Sequence, residues 1–166
     1  NIFIPHYFEK DDKKYKIISI GSRAFDNCKI DSLTFPEDSE IKSFDYECFC
    51  YAEIKKLQIP PKVKDINRAF RCVTLNGIEI SQNNHHFILF NNQFVLSRSD
   101  NYIDKFDVLH FGIPNVEEVV IPAQVISIQE YSFHSMNRNK KLKSIKFEEN
   151  SELKSIESWA FDYAEI

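Results

Sequence analysis

One apolar skeleton occurs five times in this chain, and no other feature narrows its possible folds so far. In the stretch 41–60 the skeleton is Ile41, Phe44, Phe49, Ala52, Ile54, Leu57 and Ile59. An earlier copy carries Ile17, Ile20, Phe25, Cys28, Ile30, Leu33 and Phe35. A third holds Val63, Ile66, Phe70, Val73, Leu75, Ile78 and Ile80, and a fourth Val125, Ile128, Phe133, Met136, Leu142, Ile145 and Phe147. The fifth begins Leu153, Ile156, Phe161, Ala164 and Ile166. Repetition at about 20–30 residues marks a stack of coils, because no single copy can bury its apolar face alone.

Each copy has two unlike halves. The Leu-x-Phe or Leu-x-Ile part alternates apolar and polar, which predicts a short strand with one buried face. Pro36, Pro60 and Pro122 follow it, where a missing N–H ends pairing at no cost inside the ladder. The Val-x-x-Ile-x-x-x-x-Phe part is spaced too widely for a strand and is too short for an independent helix. It is expected as an irregular or short helical turn. Coil on coil, the strands should form one parallel sheet, with Phe25, Phe49, Phe70, Phe133 and Phe161 stacked as an aromatic ladder. The expected fold is a repeat solenoid with parallel strands on one face and turns on the other.

The middle breaks the rhythm. Phe70 and Phe133 are 63 residues apart, a span that fits three turns of 21 and predicts degenerate coils there. Val116, Val119 and Ile121 restore one strand. Between them, Phe87-Ile88-Leu89-Phe90 and Phe94-Val95-Leu96 flank Asn91-Asn92, which reads as a hairpin. The expected organisation is a single solenoid: regular coils over 1–83, an irregular hairpin coil over 84–115, and regular coils over 116–166. The chain opens at Asn1 without an initiator Met and stops at Ile166 in mid-copy. It therefore reads as part of a longer protein, with apolar coil edges exposed at one or both ends.

At Ile20-Gly21-Ser22-Arg23-Ala24-Phe25-Asp26-Asn27-Cys28, joined to Leu33-Thr34-Phe35-Pro36, the chain resembles the BspA-like leucine-rich repeat family. The resemblance covers about residues 15–83 and 114–166 by repeat register. The middle also looks like the Asn-x-x-Phe hairpin insertion of that family. The resemblance implies a non-enzymatic recognition solenoid, often on surface-associated proteins, that adheres to host or matrix proteins. It departs from the common leucine-rich repeat in lacking the Asn after the strand, so no asparagine ladder is expected.

Composition removes other classes. A formal charge of −4 offers no basic face for nucleic acid. Only 3 glycines leave little for phosphate-cradling loops. No apolar run approaches the roughly 18 residues of a membrane span. Cys48-x-Cys50 resembles half a metal site without its second half, and His6, His110 and His134 stand apart in sequence. His85-His86 reads as a loop pair. Cys50 and Cys72 fall on neighbouring coils, but the two slots differ and disulfide geometry is strict. No nucleophile elbow or glycine-rich oxyanion turn supports an enzyme. The reading is no catalysis, no cofactor, no metal, no small-molecule substrate and no nucleic acid.

The outward strand positions are the candidate protein-binding face. They are Asp31 and Thr34, then Lys55, Lys56 and Gln58, then Glu79, then Glu117 and Glu118, then Lys143 and Lys146. Stacking should set them in rows whose charge alternates along the axis, basic at Lys55 and Lys56, acidic at Glu117 and Glu118, basic again at Lys143 and Lys146. The basic run 138–141 lies in a lengthened loop. The partner is expected to be a protein. Its setting is the cell surface or the secreted milieu, with a cytosolic scaffold as the alternative. Free thiols would favour the second and a disulfide the first.

Overall fold

The computed structural model describes residues 1–66, 68–100, 104–113, 117–134, 142–162, 164 and 166. Val116, Met136 and the basic run 138–141 therefore lie outside the described residues. The chain is a solenoid of parallel strands with about five turns. Strand Lys29–Thr34 pairs in parallel with Glu53–Ile59, which pairs with Thr74–Leu75 and Ile78–Ile80. The register sets Ile30 against Ile54 and Leu33 against Leu57, so identical apolar slots superpose from coil to coil. Strand Ile2–Phe3 extends this ladder, pairing with Leu33 and Thr34. Pro36, Pro60 and Pro122 each follow a strand, and their carbonyls accept from the N–H of Ser39, Val63 and Val125 to start the next turn.

Two expectations about the coil need correction. Among the described residues no turn is helical. The wide-spaced half instead contains a second, two-residue parallel ladder: Ser19–Ile20 beside Ser43–Phe44, and Ser127–Ile128 beside Ser155–Ile156. The remaining turn closes through left-handed residues. Arg23, Glu47, Arg68, Tyr131 and Trp159, each two residues before its ladder Phe, have φ of 57, 53, 59, 60 and 61°. Such a conformation costs a side-chain-bearing residue about 1–2 kcal/mol. Coil-to-coil bonds at the same corner hold it, as where Glu47 N donates to the Arg68 carbonyl at 3.0 Å.

The middle is a three-stranded antiparallel meander, Phe87–Phe90, Phe94–Ser97 and Val108–Gly112. Asn91 and Asn92 turn its first hairpin, both left-handed, a conformation Asn tolerates better than most. Asn84 pins its entry. The side chain donates to the carbonyls of Pro60 and Val63 at 2.7 and 3.1 Å and accepts from the N–H of His86 and Phe87. The last meander strand then pairs in parallel with Ser127–Ile128 and takes the place of a coil. Between Phe70 and Phe133 the coil strands Thr74–Leu75, Ile78–Ile80 and Glu118–Ile121 thus flank one meander.

The meander also splits what was expected to be one sheet. Strands Glu118–Ile121 and Ser144–Phe147 form their own two-stranded ladder. The core divides likewise. Phe87, Val95 and Phe111 pack into the first cluster, with Leu33, Phe49, Leu57 and Leu75. Phe94, Leu96 and Leu109 pack into the second, with Val119, Ile128 and Phe133. Both meander faces are therefore buried, one in each cluster.

The aromatic ladder has two segments. Phe25, Phe49 and Phe70 stack with centroids 5.8 and 5.7 Å apart, and Phe133 stacks on Phe161 at 5.0 Å. Between the segments, Phe111 lies 4.8 Å from Phe70, and Phe94 meets Phe133 edge-on at 6.3 Å. Gly112 holds the ladder register here. Its N–H donates to the Ser132 carbonyl at 2.8 Å, as Phe25 N does to Cys48 and Phe133 N to Ala160. A Cβ on Gly112 would stand 2.3 Å from the Phe133 ring, so a side chain on this rung must displace that ring.

Candidate protein-binding face

The strand face carries the candidate residues outward over a filled core. In Glu53–Ile59 the exposed positions include Lys55 and Lys56, while Ile54, Leu57 and Ile59 are buried. Asp31, Thr34, Lys55, Lys56, Gln58 and Glu79 share the first ladder. Lys146 and Glu118 lie on the second ladder, with Glu117 and Lys143 at its entry. The face is thus in two parts, with the meander between the ladders in sequence.

The charges do not stand free. Asp31 meets Lys55 at 2.6 Å, and Lys56 meets Glu79 at 2.8 Å. Glu117 meets Lys143 at 3.1 Å, and Glu118 meets Lys146 at 3.2 Å. Lys29 and Glu53 add a fifth cross-coil pair at 3.2 Å. The uncharged candidates are engaged as well. Gln58 Oε1 accepts from the Phe35 N–H at 2.9 Å, and Thr34 Oγ1 donates to the Ile2 carbonyl at 3.5 Å. The sign alternation expected along the axis is therefore neutralised pair by pair between adjacent coils. Exposed pairs of this kind are screened by solvent and add little to stability, so they favour stacking register more than stability.

A second set of polar groups lies along the turn corners, where sequence spacing gave no hint of it. Glu47 is fully buried. Its carboxylate accepts from Arg23 Nε and Nη2 at 2.9 and 2.6 Å and from Arg71 Nη1, tying three successive coils together. Burial opposes the charge, but the hydrogen bonds from Arg23, Arg71 and Tyr46 outweigh it and hold the carboxyl down at about 2. The Arg71 guanidinium lies over the Tyr131 ring at 5.5 Å, and Arg68 pairs with Glu130. At this corner the third and fourth regular coils meet directly, past the meander.

Beyond them, Cys72 Sγ lies 2.8 Å from His134 Nε2, and His134 Nδ1 lies 3.2 Å from Asp162 Oδ2. His134 is thus isolated only in sequence. The order Cys, His, Asp resembles a nucleophilic triad, but its electrostatics run the other way. Burial raises the Cys72 thiol above its ordinary range, against the nearby Arg71, and lowers the His134 imidazolium in spite of Asp162. A reactive pair needs the thiolate and the imidazolium. Burial here favours the neutral form of both members, and their contact fastens coil to coil.

The other singled-out side chains are placed as follows. Cys28, Cys48, Cys50 and Cys72 are free thiols. Among the described residues no three His, Cys, Asp or Glu converge as metal ligands. His110 Nε2 contacts Ser97 Oγ at 2.8 Å, His6 pairs with Asp38, and His85 is exposed.

Residues 6–97 and 109–166 match the BspA type leucine rich repeat region, in six copies. The chain belongs to the BspA-type leucine-rich repeat family. The match takes in the 7–16 hairpin and the first two meander strands, which fall outside the five copies read from apolar spacing. A solved structure of similar fold is the pneumococcal vaccine antigen PcpA, with a TM-score of 0.72 and 24% identity. That alignment covers 96% of this BspA-type chain and 36% of the PcpA chain. No curated protein matches the sequence. The family and the PcpA-like fold place the chain among repeat proteins.

Proposed function

We propose that this BspA-type chain is a non-catalytic protein-binding module of a cell-surface or secreted protein, mediating adhesion to or recognition of host or matrix proteins. The observation that carries the reading is the strand face itself: exposed polar rows held over a filled core in a BspA-type solenoid. Solenoids use such faces as extended binding surfaces. The similarity of fold to a pneumococcal antigen agrees with a surface setting. Because the face is neutralised internally, a partner must exchange ion pairs already made, which favours specificity over raw affinity.

The test has two arms. Intact cells expressing the parent protein are labelled with a biotin reagent that cannot cross membranes, and labelling before lysis is the expected result. The purified chain is then presented to a panel of matrix and plasma proteins, with the Lys55→Glu/Lys56→Glu variant beside it. Binding that falls at least about tenfold in the variant, a loss of about 1.4 kcal/mol, supports the face. Labelling only after lysis would move the module to a cytosolic scaffold. Four free thiols, including Cys50 and Cys72 on adjacent coils, favour that second reading.

A further inference from the structure

Away from the strand face, the entry of the meander holds a small basic cavity. Asn84, pinned to the Pro60 and Val63 carbonyls, sets His85 and His86 beside Lys64. Across the first hairpin Phe87 pairs with Ser97, so Arg98 falls opposite His86. Arg98 Nη1 donates to the His85 carbonyl at 3.1 Å, and the guanidinium lies over the Phe106 ring at 4.0 Å. Lys64, His85, His86, Ser97 and Arg98 line a cavity of about 90 Å³, and no Asp or Glu is among these lining residues. Arg98 has a carboxylate partner in Asp104 at 3.4 Å, which is fully exposed. Among the described residues, no hydrogen bond or ion pair engages the side chains of Lys64, His85 or His86. These groups oppose one another: His86 is lowered by burial first, then by Lys64, His85 and Arg98. Behind them, burial holds His110 at about 4, so it meets Ser97 Oγ as a neutral ring at 2.8 Å. An anion in the cavity would turn each of these repulsions into an attraction.

We infer that this cavity binds one tetrahedral oxyanion, a sulfate or phosphate group, with Lys64 and Arg98 supplying charge and His85, His86 and Ser97 supplying donors. Phe106 and the His85 carbonyl hold the planar guanidinium in place before the ligand arrives, while Lys64 adds a mobile point charge. Lys64 and His85 are exposed, so the cavity opens to solvent and admits a free ion or the end group of a partner. A bound dianion raises the imidazoles, so the complex takes up protons and affinity rises as pH falls through the histidine range. The cavity shares no residue with the strand face, and the inference goes beyond the adhesion reading without resting on it.

The probe is inorganic sulfate, which keeps its charge across the histidine range, so any pH dependence belongs to the protein. The whole chain is titrated with sodium sulfate at constant ionic strength, with sodium chloride as comparator, while the imidazole resonances are followed by NMR. Saturable shifts at His85 and His86 are expected, with affinity about tenfold higher at about pH 5.5 than at about pH 7.5. The Lys64→Gln/His85→Gln variant, changed at exposed positions only, should bind at least about tenfold more weakly, with its thermal unfolding unchanged. Lys55→Gln, on the strand face, should bind as the parent does. Methyl phosphate separates the sources: saturation at the same resonances admits an esterified group on a partner, sulfate binding alone confines the cavity to free ions, and the site stands in either case. Shifts that do not saturate, that chloride reproduces, or that are equally strong at both pH values overturn the inference. So does full sulfate affinity in the Lys64→Gln/His85→Gln variant.

Discussion

The regular coils and the meander solve the same burial problem in opposite ways. In the coils, one side of each strand is apolar and meets a single core. Leu33, Leu57 and Ile59 are fully buried while Lys55 and Lys56 face water. In the meander both sides are apolar. Phe87, Val95 and Phe111 serve one cluster and Phe94, Leu96 and Leu109 the other. Coils propagate a core, and the meander joins two of them. At the joint, Ser132 Oγ reaches the carbonyls of Leu109 and His110 at 3.2 Å, and Gly112 lies against Phe133. A repeat array can therefore absorb an irregular unit if that unit presents matching rows on both of its faces.

The largest effect should come from breaking a regular rung. Phe49 is fully buried between Phe25 and Phe70, with the Phe44 edge at 5.2 Å. Phe49→Ala should cost about 3–5 kcal/mol in urea unfolding. The loss falls on two coil interfaces, so a value typical of a surface site would show that the coils do not share one core.

Next comes the buried carboxylate of the regular corner. Glu47→Ala leaves Arg71 without its anion and should cost about 2–4 kcal/mol, reduced from the full buried-pair value because Arg23 is largely in water. The folded carboxyl titrates at about 2, below its ordinary 4.5. Its stabilisation is therefore complete above pH 4.5 and disappears as pH falls towards 2. Urea midpoints measured across pH 2–5 should decline less steeply in Glu47→Gln than in the parent. Equal slopes would remove Glu47 from the account.

The joint should be somewhat more tolerant. Gly112→Ala forces a methyl into the Phe133 ring, and overpacking of this kind costs about 1–3 kcal/mol. The smallest effect belongs to the outer face. Lys55→Ala removes an exposed pair with Asp31 and should leave the urea midpoint at the parent's value. A change there would mean that the surface pairs, not the core, set coil register.

The regular coils were legible because their signal is periodic. Superposed slots such as Leu33 on Leu57 follow directly from the spacing, and the prolines mark where strands stop. The two-residue ladder at Ser43–Phe44 was hidden, because two paired residues give no alternation to read. The left-handed corners were hidden too, since Arg23, Glu47, Arg68, Tyr131 and Trp159 carry no glycine signature and are held by neighbouring coils. The meander left a partial trace. Phe87-Ile88-Leu89-Phe90 is continuously apolar, the mark of a strand buried on both faces. Of the candidate face, the outward positions were legible and their mutual pairing was not. Contacts such as Cys72 with His134 span 62 residues and depend on where the meander lets the coils meet.

The joint is tested most directly by hydrogen exchange, read by mass spectrometry, in the parent and in Gly112→Ala. If the meander welds two clusters through the Gly112–Phe133 contact, protection should fall at 108–112, 127–133 and 155–161 and persist at 43–44 and 53–59. Unchanged protection at 127–133, or an equal loss through the first ladder, would contradict that account.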